Sequence, residues 1–321
     1  MQHPKYSVIV PVYNRPDEVN ELLQSLTLQQ YRNFEVIIVE DGSTNPCREV
    51  VDSFRDKLQI EYIVKQNSGP GPSRNLGYSI AKGDYLVAFD SDCIIPAEYF
   101  KVVDEALTRD SFDAWGGPDR AHENFTLLQR AMAYSMSSVL TTGGIRGSKK
   151  SVGSFQPRSF NMGISRKVFE KTRGFKFNRL AEDIELSIRM RKLGFNSVLL
   201  AEAFVYHKRR TTLKQFYNQV SSFGKGRVQV GREHRGEVKI THWFPTVFLV
   251  GLFAPLVLWL ISATLALAVL IAYGTYFAAI FLDSWRVNKS LPVAFLSIPS
   301  AFIQLTGYGS GFLRQILKAG K

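Results

Sequence analysis

Acidic residues sit at places where chemistry needs them. Two apolar, β-branched runs end in carboxylates: FEVIIV runs into Glu40-Asp41, and YLVAF into Asp90-Ser91-Asp92. Carboxylate oxygens at a strand end are hard ligands suited to a divalent cation, although an Asp-x-Asp at such a place also caps turns. A third acidic pair, Glu182-Asp183, opens the segment EDIELSIRMRK. A carboxylate there could accept a proton as a general base or simply complement the helix N-terminus. Arg74 offers a planar guanidinium suited to phosphate. His207 follows the apolar run AFVY and offers an imidazole, an able metal ligand.

The elements that must hold these groups alternate in type. Residues 6–12 (YSVIVPV) read as a buried strand, 17–30 as a helix with Val19, Leu22, Leu23 and Leu26 on one face, and 34–39 as a second buried strand. A polar helix follows over about 47–54. Strands at 60–64 and 85–89 flank a Gly/Pro turn at 67–72 and a helix over 73–80. Strand–helix alternation predicts an α/β fold with a mostly parallel sheet. Ligands of such sheets bind beyond the carboxyl ends of the strands, so Asp41 and Asp90/Asp92 are expected in one crevice. Residues 141–159, rich in Gly, Ser and Lys, read as a long loop. Residues 182–192 read as a helix stopped by Gly194.

In this order, VIVPVYNR, VEDGST, SGPGPSRNLGYSIAKGDYLVAFDSD and AEDIELSIRMRKLGF resemble the inverting family-2 glycosyltransferases of the GT-A fold over about residues 6–210. The resemblance implies a Rossmann-like catalytic domain and a nucleotide-sugar donor, UDP-linked by expectation. It implies donor contacts from Pro11, Tyr13, Asp41, Arg74 and Asp90, with Asp90 toward the ribose. It places Mg2+ or Mn2+ at Asp92, joined by His207, and makes Asp183 the base. Glu40 and Glu182 stand beside these as supporting residues. Processive synthases of this superfamily carry QxxRW; here Gln219 is followed by Val220-Ser221-Ser222-Phe223, which favours single addition.

The rest of the chain differs in character. Residues 244–282 carry no charge, although the 321-residue chain has a net charge of +12. At about 1.5 Å per residue this run is too long for one span of a hydrocarbon core of about 30 Å, so a hairpin turning near Ser262 is expected. A third apolar segment, 291–312, is interrupted by Pro292, Pro299, Gly307, Gly309 and Gly311 and reads as re-entrant or interfacial. Before the hairpin lies a basic region, 211–243, whose Leu213, Phe216, Tyr217, Val220 and Phe223 are expected to dip into lipid. Lys and Arg on both sides of the hairpin place its ends in the cytoplasm by the positive-inside rule. No recognition module accompanies the charge, which argues against nucleic acid. Cys47 and Cys93 form neither a disulfide framework nor a zinc site, and the short polar segment before the first strand reads as no signal peptide.

The sequence therefore predicts a catalytic domain over 1–210 on the cytoplasmic side of the inner membrane, an interfacial region over 211–243, and a membrane region over 244–321. A membrane anchor beside a sugar-transfer site implies a lipid-linked acceptor in cell-surface polysaccharide or glycolipid assembly. A polyprenyl-phosphate glycosyltransferase, a processive synthase and a non-catalytic sugar-nucleotide-binding scaffold are the alternatives.

Overall fold

The computed structural model describes residues 3–120, 125–142, 155–207 and 210–318. The chain forms two compact units, residues 1–122 with 153–208, and residues 123–152 with 209–321.

In chain order the first unit opens with β1 (Tyr6–Val12), α1 (Pro16–Thr27), β2 (Phe34–Asp41), α2 (Arg48–Asp52), β3 (Ile60–Lys65), α3 (Pro70–Ile80) and β4 (Tyr85–Phe89). It continues through β5 (Cys93–Ile94), α4 (Tyr99–Arg109), β6 (Ala114–Gly116) and β7 (Asp119–Arg120). After α5 (Leu127–Ser137) and α6 (Val139–Thr142), which belong to the second unit, come β8 (Asn161–Ser165), α7 (Arg166–Thr172), α8 (Glu182–Lys192), β9 (Ser197–Leu199) and β10 (Val205–His207). The seven-stranded sheet runs β3-β2-β1-β4-β8-β6-β9, and only β8 lies antiparallel to its neighbours. This is the expected α/β architecture.

Period-two alternation explains the layers. Tyr6, Val8, Val10 and Val12 of β1 join Leu22, Leu23 and Leu26 of α1 and Phe100 of α4 in one core. Ile9, with Ile37 and Val39 of β2, joins Tyr78 of α3 and Leu186 and Met190 of α8 on the other face. Helix α3 starts earlier than expected. Gly69 turns at φ +103°, and Pro70 occupies the first turn, where a missing N–H costs nothing. A Cβ at Gly71 would lie 2.2 Å from the Phe177 carbonyl, so the segment before α8 passes against α3 only because residue 71 has no side chain. Of the loop expected at 141–159, residues 143–154 lie outside the described part.

The second unit adds to α5 and α6 the helices α9 (Leu213–Glu233), α10 (Phe244–Gly251), α11 (Ala254–Trp259), α12 (Ala263–Asn288) and α13 (Leu291–Leu317), with a 3-10 turn at Ile240–Trp243. Residues 125–142, which the sequence placed with the catalytic domain, cluster here instead. The apolar face of α9 also departs from expectation. Phe216 and Val220 are buried against Met132 and Met136 of α5, with Leu213 and Phe223 beside them. A stripe of this spacing serves a neighbouring helix as well as a lipid surface, and here α5 and α13 claim it.

The hairpin arm before Ser262 is two helices of 8 and 6 residues; Pro255 cannot continue the first and opens the second. Ser262 caps α12, its Oγ accepting from the Leu265 N–H at 3.4 Å. The segment expected to break at Pro299 and its glycines is instead one 27-residue helix, α13. Close packing is what the glycines serve. A Cβ at Gly311 would lie 2.0 Å from the Ser221 carbonyl, and one at Gly307 2.5 Å from Val220. Gly311→Ala is expected to part α9 from α13 and cost about 1–3 kcal/mol, read as a lower Tm in detergent.

Among the described residues, α12 and α13 are long and apolar enough to cross a membrane, by length and composition. Only 11% of the apolar window of α12 is buried, against 50% for α13, so α12 leaves more of its apolar surface uncovered.

Candidate active site

The parallel strands β1, β2 and β4 bring Pro11 and Tyr13, Glu40 and Asp41, and Asp90 to the same carboxyl edge of the sheet. Pro11 pairs in register with Val39, and Tyr13 beyond the strand end is half exposed. Asp41 is buried. Its Oδ1 accepts from Lys65 Nζ and the Ser68 N–H, and its Oδ2 from the Gly69 N–H at 2.8 Å. Burial opposes its charge, but these three donors outweigh it and hold the carboxyl below its ordinary value. Glu40 serves the loop after β2. It accepts from Ser43 Oγ, the Cys47 N–H and Tyr62 Oη. Asn14, at φ +54°, binds the same loop through the Thr44 and Asn45 N–H groups.

The second, three-stranded sheet gathers the other groups. Its order is β5-β10-β7, and its register sets His207 opposite Cys93. His207 Nε2 thereby lies 3.0 Å from Asp92 Oδ1, and its ring stacks on Phe160 at 5.0 Å. Asp92 Oδ2 takes Arg15 Nη1. Burial disfavours the charge on Asp92, yet His207 and Arg15 hold its carboxyl well below the usual range. Asp92 Oδ1 is buried and has no hydrogen-bond partner. An orphaned carboxylate oxygen about 3 Å from an imidazole nitrogen matches two adjacent ligands of a cation with bonds of about 2.1 Å. The residues therefore fit a divalent ion. Cys93 lies close to both, but a soft thiol is a poor match for Mg2+ or Mn2+.

Helix α8 is set by its own charges. Ala181 turns at φ +56° just before it. Arg189 grips Glu185 and donates to the Thr172 and Gly174 carbonyls. Glu182 then points inward, accepting from Arg74 Nη1 at 3.0 Å and Ser159 Oγ at 3.1 Å. Arg74 is buried, and its Nη2 donates to Asp90 Oδ1 at 2.6 Å. Arg74 therefore bridges β4 and α8, and neither terminal nitrogen is free to act as an exposed phosphate clamp. Asp183 is less enclosed. Its Oδ1 accepts from the Ile184 N–H at 2.8 Å, and Arg158 Nη1 stands 3.5 Å from Oδ2.

Burial, reinforced by the Asp183 charge, pushes Glu182 up to about 7 against the downward pull of Arg74. Such a raised carboxyl stabilises the fold fully below its unfolded value near 4.5, and that contribution is lost as pH rises through about 7. Glu182→Gln should therefore lose less Tm between pH 5 and pH 8 than the parent.

Arg15, Lys65, Arg158 and Ser159 were not singled out as site residues from sequence. Only Arg15, beside the YN of β1's end, lay within a motif that could have drawn attention to it.

Residues 7–173 match the family model described as Glycosyl transferase family 2. Poly(ribitol-phosphate) β-N-acetylglucosaminyltransferase TarS of Staphylococcus aureus is 38% identical over 101 residues, 30% of this chain and 18% of that protein. The chain covers 13% to 39% of the length of such curated relatives. Two solved structures share the fold. Mannosyltransferase PcManGT from Pyrobaculum calidifontis, in complex with GDP-Man and Mn2+, aligns with a TM-score of 0.62 and 15% identity over 99% of this chain and 88% of that one. S. aureus TarS 1-349 in complex with UDP-GlcNAc aligns with a TM-score of 0.50 and 19% identity over 99% and 92%. With more than half its length matched by the family model, the chain belongs to glycosyl transferase family 2.

Proposed function

We propose that this protein transfers one sugar, with inversion, from a nucleotide-sugar donor to a lipid-linked acceptor at the cytoplasmic face of the inner membrane, in cell-surface polysaccharide or glycolipid assembly. The observation that carries the reading is the placement of Asp41, Asp90, Asp92 with His207, and Asp183 within one unit, where Arg74 bridges Asp90 to Glu182, the neighbour of Asp183. Donor complexes of two proteins with this fold, one with GDP-Man and Mn2+ and one with UDP-GlcNAc, support it.

In this reading Asp41 meets the nucleotide base, with Pro11 and Tyr13 beside it, and Asp90 meets the ribose. Asp92 and His207 would hold Mg2+ or Mn2+, which when bound neutralises charge on the departing diphosphate. Asp183 takes the acceptor hydroxyl proton while that oxygen bonds to the anomeric carbon and the bond to the nucleoside diphosphate breaks. Arg74 keeps Asp90 and the start of α8 in fixed relation. The bare apolar face of α12 supports membrane anchoring of the second unit.

The full-length protein in detergent, given a panel of nucleotide sugars and polyprenyl-linked acceptors, should release nucleoside diphosphate only with a divalent cation present. Products should grow by one sugar. Asp92→Asn should weaken metal-dependent donor binding at least tenfold by calorimetry. Release that survives chelation, or normal donor affinity in Asp92→Asn, would remove the metal site from the reading.

A further inference from the structure

Asp92 has two unlike oxygens. Oδ2 is held by Arg15, the residue that leads from β1 into α1; Oδ1 is buried, lacks a hydrogen-bond partner and faces His207 Nε2. The contact with Arg15 fixes the rotation of the carboxylate, so that Oδ1 and the imidazole share one point. It also spends the charge of Asp92 on a guanidinium. A divalent cation arriving alone thus meets, at Asp92, a carboxylate whose charge Arg15 already balances. A diphosphate changes that balance, because it brings negative charge and offers a guanidinium two acceptor oxygens.

We propose that Arg15 is a positioning residue that makes cation binding conditional on the diphosphate, sharing Asp92 until phosphate oxygens take over its guanidinium. The inference rests on the reading of Asp92 and His207 as the cation site. Linkage makes the effect reciprocal, so the cation and the nucleotide each raise the other's affinity by one common factor. Arg15 supplies part of that factor.

The test measures Mn2+ binding to the full-length protein in detergent by electron paramagnetic resonance, alone and with saturating UDP or, in parallel, GDP. Arg15→Gln should bind Mn2+ alone about tenfold more tightly, since a unit positive charge on the liganding carboxylate's other oxygen is removed. The enhancement given by the nucleotide should shrink by a similar factor. Arg15→Lys keeps the charge and should stay near the parent in both readings. If Arg15→Gln binds Mn2+ alone no more tightly than the parent, with the nucleotide enhancement intact, Arg15 merely orients Asp92 and the inference is overturned. Asp92→Asn separates the two levels. A loss of Mn2+ affinity there with no gain in Arg15→Gln defeats this inference alone, whereas no loss defeats the cation site and the inference with it.

Discussion

Asp183→Asn is expected to lower the rate of sugar transfer by about 10²–10⁴ while donor and Mn2+ affinities stay within about twofold of the parent. The exchange is nearly isosteric, and Asn still accepts from the Ile184 N–H that Asp183 Oδ1 now uses. What it cannot do is take a proton at neutral pH. Single-turnover kinetics should place the loss in the chemical step, because the proposed donor contacts lie on other residues. Glu182→Gln is the informative neighbour. Its carboxylate is enclosed by Arg74 and Ser159, so it has no direction in which to meet an acceptor. That variant should keep most of its turnover per folded molecule. A dead Glu182→Gln beside an active Asp183→Asn would move the base by one residue.

Arg74→Leu is expected to destabilise the first unit by about 3–5 kcal/mol at pH 8, where Glu182 is ionised in the parent, and by less at pH 5, where it is protonated, because removing one member of a buried ion network leaves the others uncompensated. Glu182 is 7% exposed and loses its only charged donor among the described contacts. Asp90, one-third exposed at its side chain, can recover some hydration, which favours the lower end of that range. For a unit of this size the loss corresponds to a fall in Tm on the order of 10 °C. Arg74→Leu combined with Glu182→Leu should recover part of it, since the stranded carboxylate goes too. A Tm within 2 °C of the parent in the single variant would show that the bridge contributes little and that solvent reaches Glu182.

The sheet was legible because its strands are short β-branched runs cut by Gly, Pro and Asp, and because the chain alternates them with helices. That the acids at 41 and 90 fall on one edge follows from that alternation alone. The inward turn of Glu182 was not legible, since the sequence presents Glu182 and Asp183 as equals; the left-handed Ala181 and the Glu185–Arg189 grip decide which one is enclosed. Nor was the burial of Arg74, whose partners lie 16 and 108 residues away. His207 next to Asp92 depends on a register between β5 and β10 that no local pattern encodes. In the second unit, the spacing of Leu213, Phe216, Val220 and Phe223 describes an apolar face without saying what covers it. The glycines of α13 resemble breaks until the backbone of α9 is placed against them.

The interleaving of the two units has a consequence for synthesis. Helix α5 emerges from the ribosome early, with Met132 and Met136 ready to be covered, but Phe216 and Val220 follow roughly 80 residues later. At about 5–20 residues per second that is a wait of some 4–16 s. The last partner, α13, ends some 180 residues after α5. Strand β6 waits too, since its neighbours β8 and β9 are both made after the excursion into the second unit. Neither unit can close in the order it is written. The nascent chain must carry a half-built sheet and an uncovered apolar helix at once. Slowing elongation across residues 138–215 should therefore raise the aggregated fraction, whereas slowing it after residue 317 should leave it unchanged.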